Sequence, residues 1–253
     1  MAIKIGISDS PLFDNLVHNY DKIKKRFDLE INRFPSAKIA DLYQKEKLDM
    51  AMLNPIEFSE MAGEGDNRII STRCLALEEY TKELSLEFNP NASKIKTIAY
   101  SDDDNYLGMI ARIILAERYD SFPEKLGKNS KEIADVELKW RAGTPQNTSL
   151  DLSELWFDTY EFPLILGFWI CRGDFDACDP VELTNTLFDS RLPDEVKILE
   201  EIKTDEYSYE SEGNIHYKWT EDLKQSLSEL LELLFVSQII DAVPEVKMFE
   251  ASK

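Results

Sequence analysis

The chain has 253 residues, enough for one large domain or two smaller lobes, and 43% of them are hydrophobic, enough for a packed core. A formal net charge of −20 sets it against nucleic-acid phosphates, so no nucleic-acid partner is expected. No apolar run approaches twenty residues, so neither a membrane span nor a membrane partner is expected.

Ile3 to Ile7 reads as a first strand, and it lacks the basic segment and long apolar core of a secretory leader. Ser8-Asp9-Ser10-Pro11 then opens a helix, with Pro in its first turn and Leu12, Phe13, Leu16, Val17, Tyr20 and Ile23 as its stripe. Phe27 to Phe34 alternates as a second strand. Ile39, Leu42 and Tyr43 share the face of a short helix, and Leu48 to Leu53 is an apolar run too short for a helix of its own. Asn54-Pro55 stops that strand. Ligands in open α/β folds sit at the carboxyl ends of such strands, which makes Asn54 a candidate contact. Glu57 is expected to face solvent on the next helix. Arg68 to Leu77 and Ser85 to Phe88 read as further strands.

Asn89-Pro90-Asn91-Ala92-Ser93 is a turn cluster and the first expected lobe boundary. Lys94 to Tyr100 is a strand, and Ser101-Asp102-Asp103-Asp104-Asn105 opens a helix carrying Leu107, Ile110, Ile114 and Leu115. Val136 to Trp140 is a short strand and Asp151 to Tyr160 a helix. Leu164 to Cys171 is almost wholly apolar, so a strand buried on both faces is expected, ended by Arg172-Gly173-Asp174. Pro180 to Phe188 and Pro193 to Ile202 read as helices, and the acidic stretch Glu200 to Glu212 as an exposed connection. Thr220 caps a long helix through Ile240.

Alternating strands and helices predict an α/β fold. The expected division is a discontinuous lobe of residues 1–90 plus 172–253 and a second lobe of residues 91–171. Two interlobe crossings would join them and leave a cleft for a small-molecule ligand. Three cysteines (Cys74, Cys171 and Cys178) cannot all pair within one chain and match no zinc spacing, so a cytosolic protein with reduced thiols and no metal is expected. His18 and His216 are too far apart in sequence to suggest a Ser-His-Asp triad. Trp156 and Trp169 read as core, although Trp169 could back the cleft.

Several segments resemble one family. Leu48 to Phe58 resembles the "GELDVALVSSIEY" segment of the MqnA-type proteins, the chorismate dehydratases of the futalosine route to menaquinone. Asp151-Leu152-Ser153-Glu154-Leu155-Trp156 is similar to their "DLGEEW", and Phe162 to Trp169 to their "GLPFVFALW", with Arg172 following. Val243 to Phe249 is similar to their closing "VPELRF". The resemblance implies a two-lobed type II periplasmic-binding-protein-like fold, a lyase acting on chorismate, and no cofactor. On that basis the expected ligand contacts are Ser8, Ser10, Asn54, Ser101 and Asn105, with Asp9 as the trial base; as a base it would need a raised pKa in a dry cleft.

Two loops depart from the family. Ile7 to Leu12 lacks the Asn-Thr pair of "VNYLNTLPL", and Ser101 to Asn105 carries three carboxylates where "SPESATS" carries small hydroxyls. Two like charges 4 Å apart cost about 4 kcal/mol at an effective dielectric of about 20. A helix N-terminus returns only about 0.3–1 kcal/mol per charge. Acids in a first helical turn also serve as caps. A non-catalytic binding protein of the same fold, taking a neutral or cationic ligand, is therefore the alternative, and another enzyme of the fold acting on a different ring compound is a third reading.

Overall fold

A computed structural model of the chain describes residues 2–127, 132–140, 149–203 and 208–249. It begins with β1 (Ile3–Ser8), a 3-10 segment (Pro11–Val17), α1 (Tyr20–Ile23), β2 (Leu29–Phe34), α2 (Ser36–Gln44), β3 (Met50–Leu53), α3 (Pro55–Ser59) and β4 (Asn67–Glu79). Next come β5 (Leu84–Phe88), β6 (Thr97–Ala99), a 3-10 turn (Asp102–Asp104), α4 (Asn105–Tyr119), β7 (Glu124–Lys125), β8 (Val136–Trp140), β9 (Ser149–Asp151) and α5 (Leu152–Tyr160). The chain closes with β10 (Leu164–Arg172), α6 (Pro180–Leu187), β11 (Glu195–Lys203), β12 (Ser208–Lys218), α7 (Glu221–Val236) and β13 (Met248–Phe249). The fold is mixed α/β with two sheets. One runs β11-β12-β4-β10-β3-β1-β2 with β13 beside β4, and the other β7-β6-β8-β5-β9.

Two compact units emerge. Unit 1 comprises Met1–Ala76, Ile165–Val196 and His216–Lys253, and unit 2 comprises Leu77–Leu164 and Lys197–Ile215. The chain thus passes between units four times, at 76/77, 164/165, 196/197 and 215/216, where two crossings, with boundaries at 90/91 and 171/172, were expected. The additional excursion is the β11–β12 pair. Pro193 to Ile202 is no helix and Glu200 to Glu212 is no mere connection: both fall largely in these strands, and residues 204–207 lie outside the described residues. Val196, Leu199 and Ile202 do stand at the three-residue spacing of a helix. In the strand, Val196, Ile198, Glu200 and Ile202 are half-buried while Leu199 is exposed, which is the two-residue period of a strand.

Unit 1 is built on strands with little polar surface. Ile3, Ile5 and Ile7 of β1, all four residues of β3 and Leu166 to Cys171 of β10 are buried. Such burial on both faces is why β3 and β10 read as unbroken apolar runs. Phe168 meets Phe58 edge-on at 5.3 Å between centroids and lies 5.9 Å from Trp219. Trp169 is fully buried. Thr220 caps α7, its hydroxyl accepting from Leu223 N at 3.2 Å, and Leu223, Leu227, Leu230, Leu231 and Leu234 are buried. Phe235, one residue beyond Leu234 at the end of the buried stripe, is 47% exposed.

In unit 2, α4 and α5 pack together around Ile110, Ile114 and a fully buried Trp156. Asp151 organises the entry to α5. Its buried carboxylate accepts from Glu154 N (3.0 Å), Ser153 Oγ (2.6 Å) and Lys82 N (2.8 Å). No helix among the described residues is long and apolar enough to cross a membrane.

Gly213 of β12 lies where a Cβ would come within 2.3 Å of Tyr80 O and 2.5 Å of Glu78 O. These are backbone atoms that cannot swing aside. Gly213→Ala should therefore lower unfolding stability by about 1–3 kcal/mol in chemical denaturation, the usual range for overpacking; a variant as stable as the parent would show that β12 does not approach this closely.

Candidate functional site

The site is built from the carboxyl ends of unit 1's central strands. β1 pairs parallel with β3, Ile5 opposite Met50 and Gly6 opposite Ala51, and parallel with β2, Ser8 opposite Phe34. β10 runs antiparallel to β3, with Phe168 opposite Leu53. Carrying the β1–β3 register past Gly6 and Ala51 brings Asp9 level with Asn54. One residue beyond Phe168, Gly167 reaches the same level. By that register, extended past the strand ends, the three positions fall at one edge of the sheet. Gly167 allows the Pro11–Val17 segment to close over this edge, since a Cβ there would meet Phe13 at 3.0 Å and Leu53 O at 3.3 Å.

Ser8 is half-buried, and its Oγ accepts from Ser10 N at 3.2 Å. Its carbonyl accepts from Arg33 Nη1 at 3.2 Å, while Arg33 Nη2 holds Asp14 at 2.7 Å. Asp9 is exposed. Ser10 occupies the cap position before Pro11 yet makes no capping bond, and its Oγ is shut from solvent with no partner among the described residues.

Asn54 and Glu57 form a reciprocal cap on α3. Glu57 N donates to Asn54 Oδ1 at 3.0 Å, and Asn54 N donates to Glu57 Oε2 at 3.3 Å. Glu57 is only 6% exposed, which corrects the expectation that it faces solvent: the back-reaching bond folds its carboxyl inward and α3 packs against α7. Burial pushes that carboxyl up to about 8, against the lowering effect of Asn54 N, with Glu60 adding to the rise. The signal was present in sequence as Asn54-Pro55-Ile56-Glu57, a capping box.

The unit 2 candidates lie after β6. Ser101 is exposed, and its Oγ accepts from Asp103 N at 3.3 Å. Asn105 is exposed at the start of α4. The three acids between them make a separate 3-10 turn, and Asp104 stands at the cap of α4 without a capping bond. Asp104 instead accepts from Trp140 Nε1 at 2.8 Å, and Lys125 Nζ reaches Asp102 at 2.6 Å. Burial pushes the Asp104 carboxyl up from its ordinary value, against the bond from Trp140. Two of the three carboxylates therefore have partners inside unit 2, which weakens the repulsion argument for a cationic ligand.

Unit 1 also holds a cavity of 530 Å³ at the opposite edge of its sheet, beside Arg172, the last residue of β10. The Arg172, Tyr43 and Asn67 side chains that line it bind the fold itself. Arg172 donates to Tyr43 O (2.6 Å) and Leu48 O (3.3 Å), with its guanidinium 4.7 Å from the Tyr43 ring. Tyr43 Oη donates to Asn67 Oδ1 at 3.2 Å, and burial raises the phenol far above its usual range. The histidines sit in separate clusters, His18 Nδ1 at 3.6 Å from Asp189 and His216 Nδ1 at 3.4 Å from Glu195. Among the described residues, no group of three or more His, Cys, Asp or Glu could hold a metal ion.

No family model and no curated protein matches the chain. Among solved structures it is similar, at 16% identity and a TM-score of 0.44, to a protein from Archaeoglobus fulgidus, over 72% of each chain. It is similar at 12% identity and 0.41 to a Candida albicans protein described as defining a new family with the generic periplasmic binding protein fold, over 69% of this chain and 64% of that one. A third likeness, at 14% and 0.44, is to the effector-binding domain of QuiR in complex with shikimate, over 74% of this chain and 95% of that one. Likenesses at this level assign neither ligand nor activity.

Folded, Glu57 holds its proton to about pH 8, whereas an ordinary Glu releases it near 4.5. Stability therefore falls as pH rises between those values. Glu154, pushed up to about 7 by burial and by Asp151, adds to the same trend. Chemical denaturation at about pH 5 and about pH 8 should show a smaller drop for Glu57→Gln than for the parent chain; equal drops would contradict a buried Glu57 carboxyl.

Proposed function

We propose that the carboxyl edge of unit 1 binds a small ring compound carrying carboxylate or hydroxyl oxygens, and that the chain dehydrates chorismate. The observation that supports this most is Asn54. It stands at a strand tip level with Asp9, its Oδ1 spent on the cap of α3 and its Nδ2 without a partner among the described residues. A half-buried amide with unspent donors is a natural contact for an oxygen-rich ligand. Ser10 Oγ is likewise without a partner among the described residues. The reaction itself comes from the resemblance of Leu48–Phe58 and Asp151–Trp156 to the MqnA-type segments.

The step balances without an oxidant or reductant. A base removes a ring proton, the freed electron pair becomes a ring double bond, and the neighbouring C–O bond breaks. The hydroxyl leaves with a proton as water, and the ring becomes aromatic. In this proposal Asn54 Nδ2 steadies a substrate oxygen, and the proton acceptor is left unassigned, because Asp9, the trial base, is exposed rather than held in a dry cleft. Glu57, neutral at pH 7 because it is buried, adds no negative charge beside a dianionic substrate.

Incubation of the chain with chorismate, followed by ultraviolet absorbance and by thermal denaturation, tests the reading. Loss of chorismate absorbance together with a raised melting temperature is the expected outcome, because a ligand bound to the folded state stabilises it. No absorbance change and no shift would overturn it, and stabilisation by amines alone would replace it with the non-catalytic alternative.

A further inference from the structure

We propose that β11 pairs edge to edge and antiparallel with β11 of a second copy of this chain, about a two-fold axis at Leu199. β11 ends the strand order of its sheet, and among the described residues no strand lies beyond it. Tyr217 N donates to Asp194 O at 2.8 Å, so the Asp194 carbonyl points toward β12. The hydrogen-bonding side of the backbone alternates along a strand. Val196, Ile198, Glu200 and Ile202 therefore turn their N–H and C=O groups to β12, and Glu195, Lys197, Leu199 and Glu201 turn theirs outward. Exposure alternates without a break from Glu195 to Ile202, so no bulge interrupts the pattern. Natural sheets blunt an open edge with a short strand, a proline or a bulge. β11 has nine residues and no proline, and Leu199 at its midpoint is 63% exposed.

The order of side chains around Leu199 makes a second copy the partner that fits. In a two-fold antiparallel pairing, each residue before the axis faces the residue the same distance after it. Leu199 then covers Leu199 of the second copy, Lys197 faces its Glu201, and Glu201 faces its Lys197. All are outward-turned positions, where facing residues exchange two N–H···O=C bonds. Facing opposite charges strengthen a sheet and facing like charges weaken it. An axis at Lys197 would set that lysine against itself, and an axis at Glu201 would do the same to the glutamate. Backbone direction and charge thus agree on Leu199. Within the chain, Lys197 Nζ meets Glu212 at 2.7 Å and Glu201 accepts from Ser208 Oγ at 2.7 Å. Contacts of this exposed kind hold a side chain weakly, so they yield to or share with a partner across the edge.

The net charge of −20 opposes the approach of two copies at long range, so the pairing is tested in salt. Sedimentation equilibrium of the full chain at about 0.15 M salt, where the Debye length is about 8 Å, should show the average mass rising toward twice that of one chain between low and high micromolar concentration. Hydrogen exchange at the Leu199 amide should slow over the same range. Leu199→Pro removes an N–H that β12 does not use, at an edge position where strands tolerate proline. It should keep the parent's circular dichroism and stay monomeric. Lys197→Glu sets like charges opposite each other twice and should weaken association at least about tenfold. Lys197→Glu combined with Glu201→Lys restores both pairs in the reversed sense and should recover it. That recovery needs this register, so the charge pair decides the matter even where Leu199→Pro fails to fold. A parent chain that stays monomeric throughout would overturn the inference. So would a dimer that Lys197→Glu leaves as tight as the parent, or a double variant that associates no better than the single one.

Discussion

The pairing of β3 between β1 and β10 is the constraint on which the rest of unit 1 depends. Every residue of β3 is buried, as are Leu166 to Cys171 of β10, so an unpaired polar group in the sheet interior is costly, and Trp169 Nε1 is the polar side-chain atom left there without a partner among the described residues. Polar chemistry is forced to the strand tips. Because the side-chain period of a strand is two, a slip of one residue would bury Asn54 or drag Leu53 to the edge. The register therefore fixes two polar rims at once. One carries Ser8, Asp9 and Asn54, and the other carries Arg172 beside the start of β3.

The two rims differ in how their polar groups are used. At the Arg172 rim, the guanidinium and the Tyr43 and Asn67 side chains close on backbone carbonyls and on one another, anchoring the end of α2. At the Asn54 rim, hydroxyl and amide groups are left over. Size alone would favour the cavity, but unspent, oriented donors are the better sign of a ligand than empty volume. A chain of net charge −20 repels an anion at long range. Fixed local donors and a neutral Glu57 are the means by which such a rim could still accept one.

Much of this was legible in the residues. Leu48 to Leu53 followed by Asn54-Pro55 announced a buried strand and its polar tip, and Leu164 to Cys171 announced a second buried strand, because unbroken apolar runs have few other homes. Thr220 stood where a helix cap belongs, and it accepts from the first turn of its helix. In Pro193 to Ile202, Val196, Leu199 and Ile202 match helical spacing, yet the strand face runs through Ile198 and Glu200. Pairing partners, not local propensity, decided that segment. Glu57 was misjudged because an acid after a turn is usually solvated, and only its reciprocal bond with Asn54 turns it inward. The fate of Asp102 and Asp104 depended on Lys125 and Trp140, far away in sequence, which no local pattern reveals.

The most direct measurement is a crystal structure of the chain with chorismate bound. The account predicts a ligand oxygen within hydrogen-bond distance of Asn54 Nδ2, with Asn54 Oδ1 still on Glu57 N. Ligand density in the Tyr43–Arg172 cavity, with the Asn54 tip bare or its amide turned over, would contradict it.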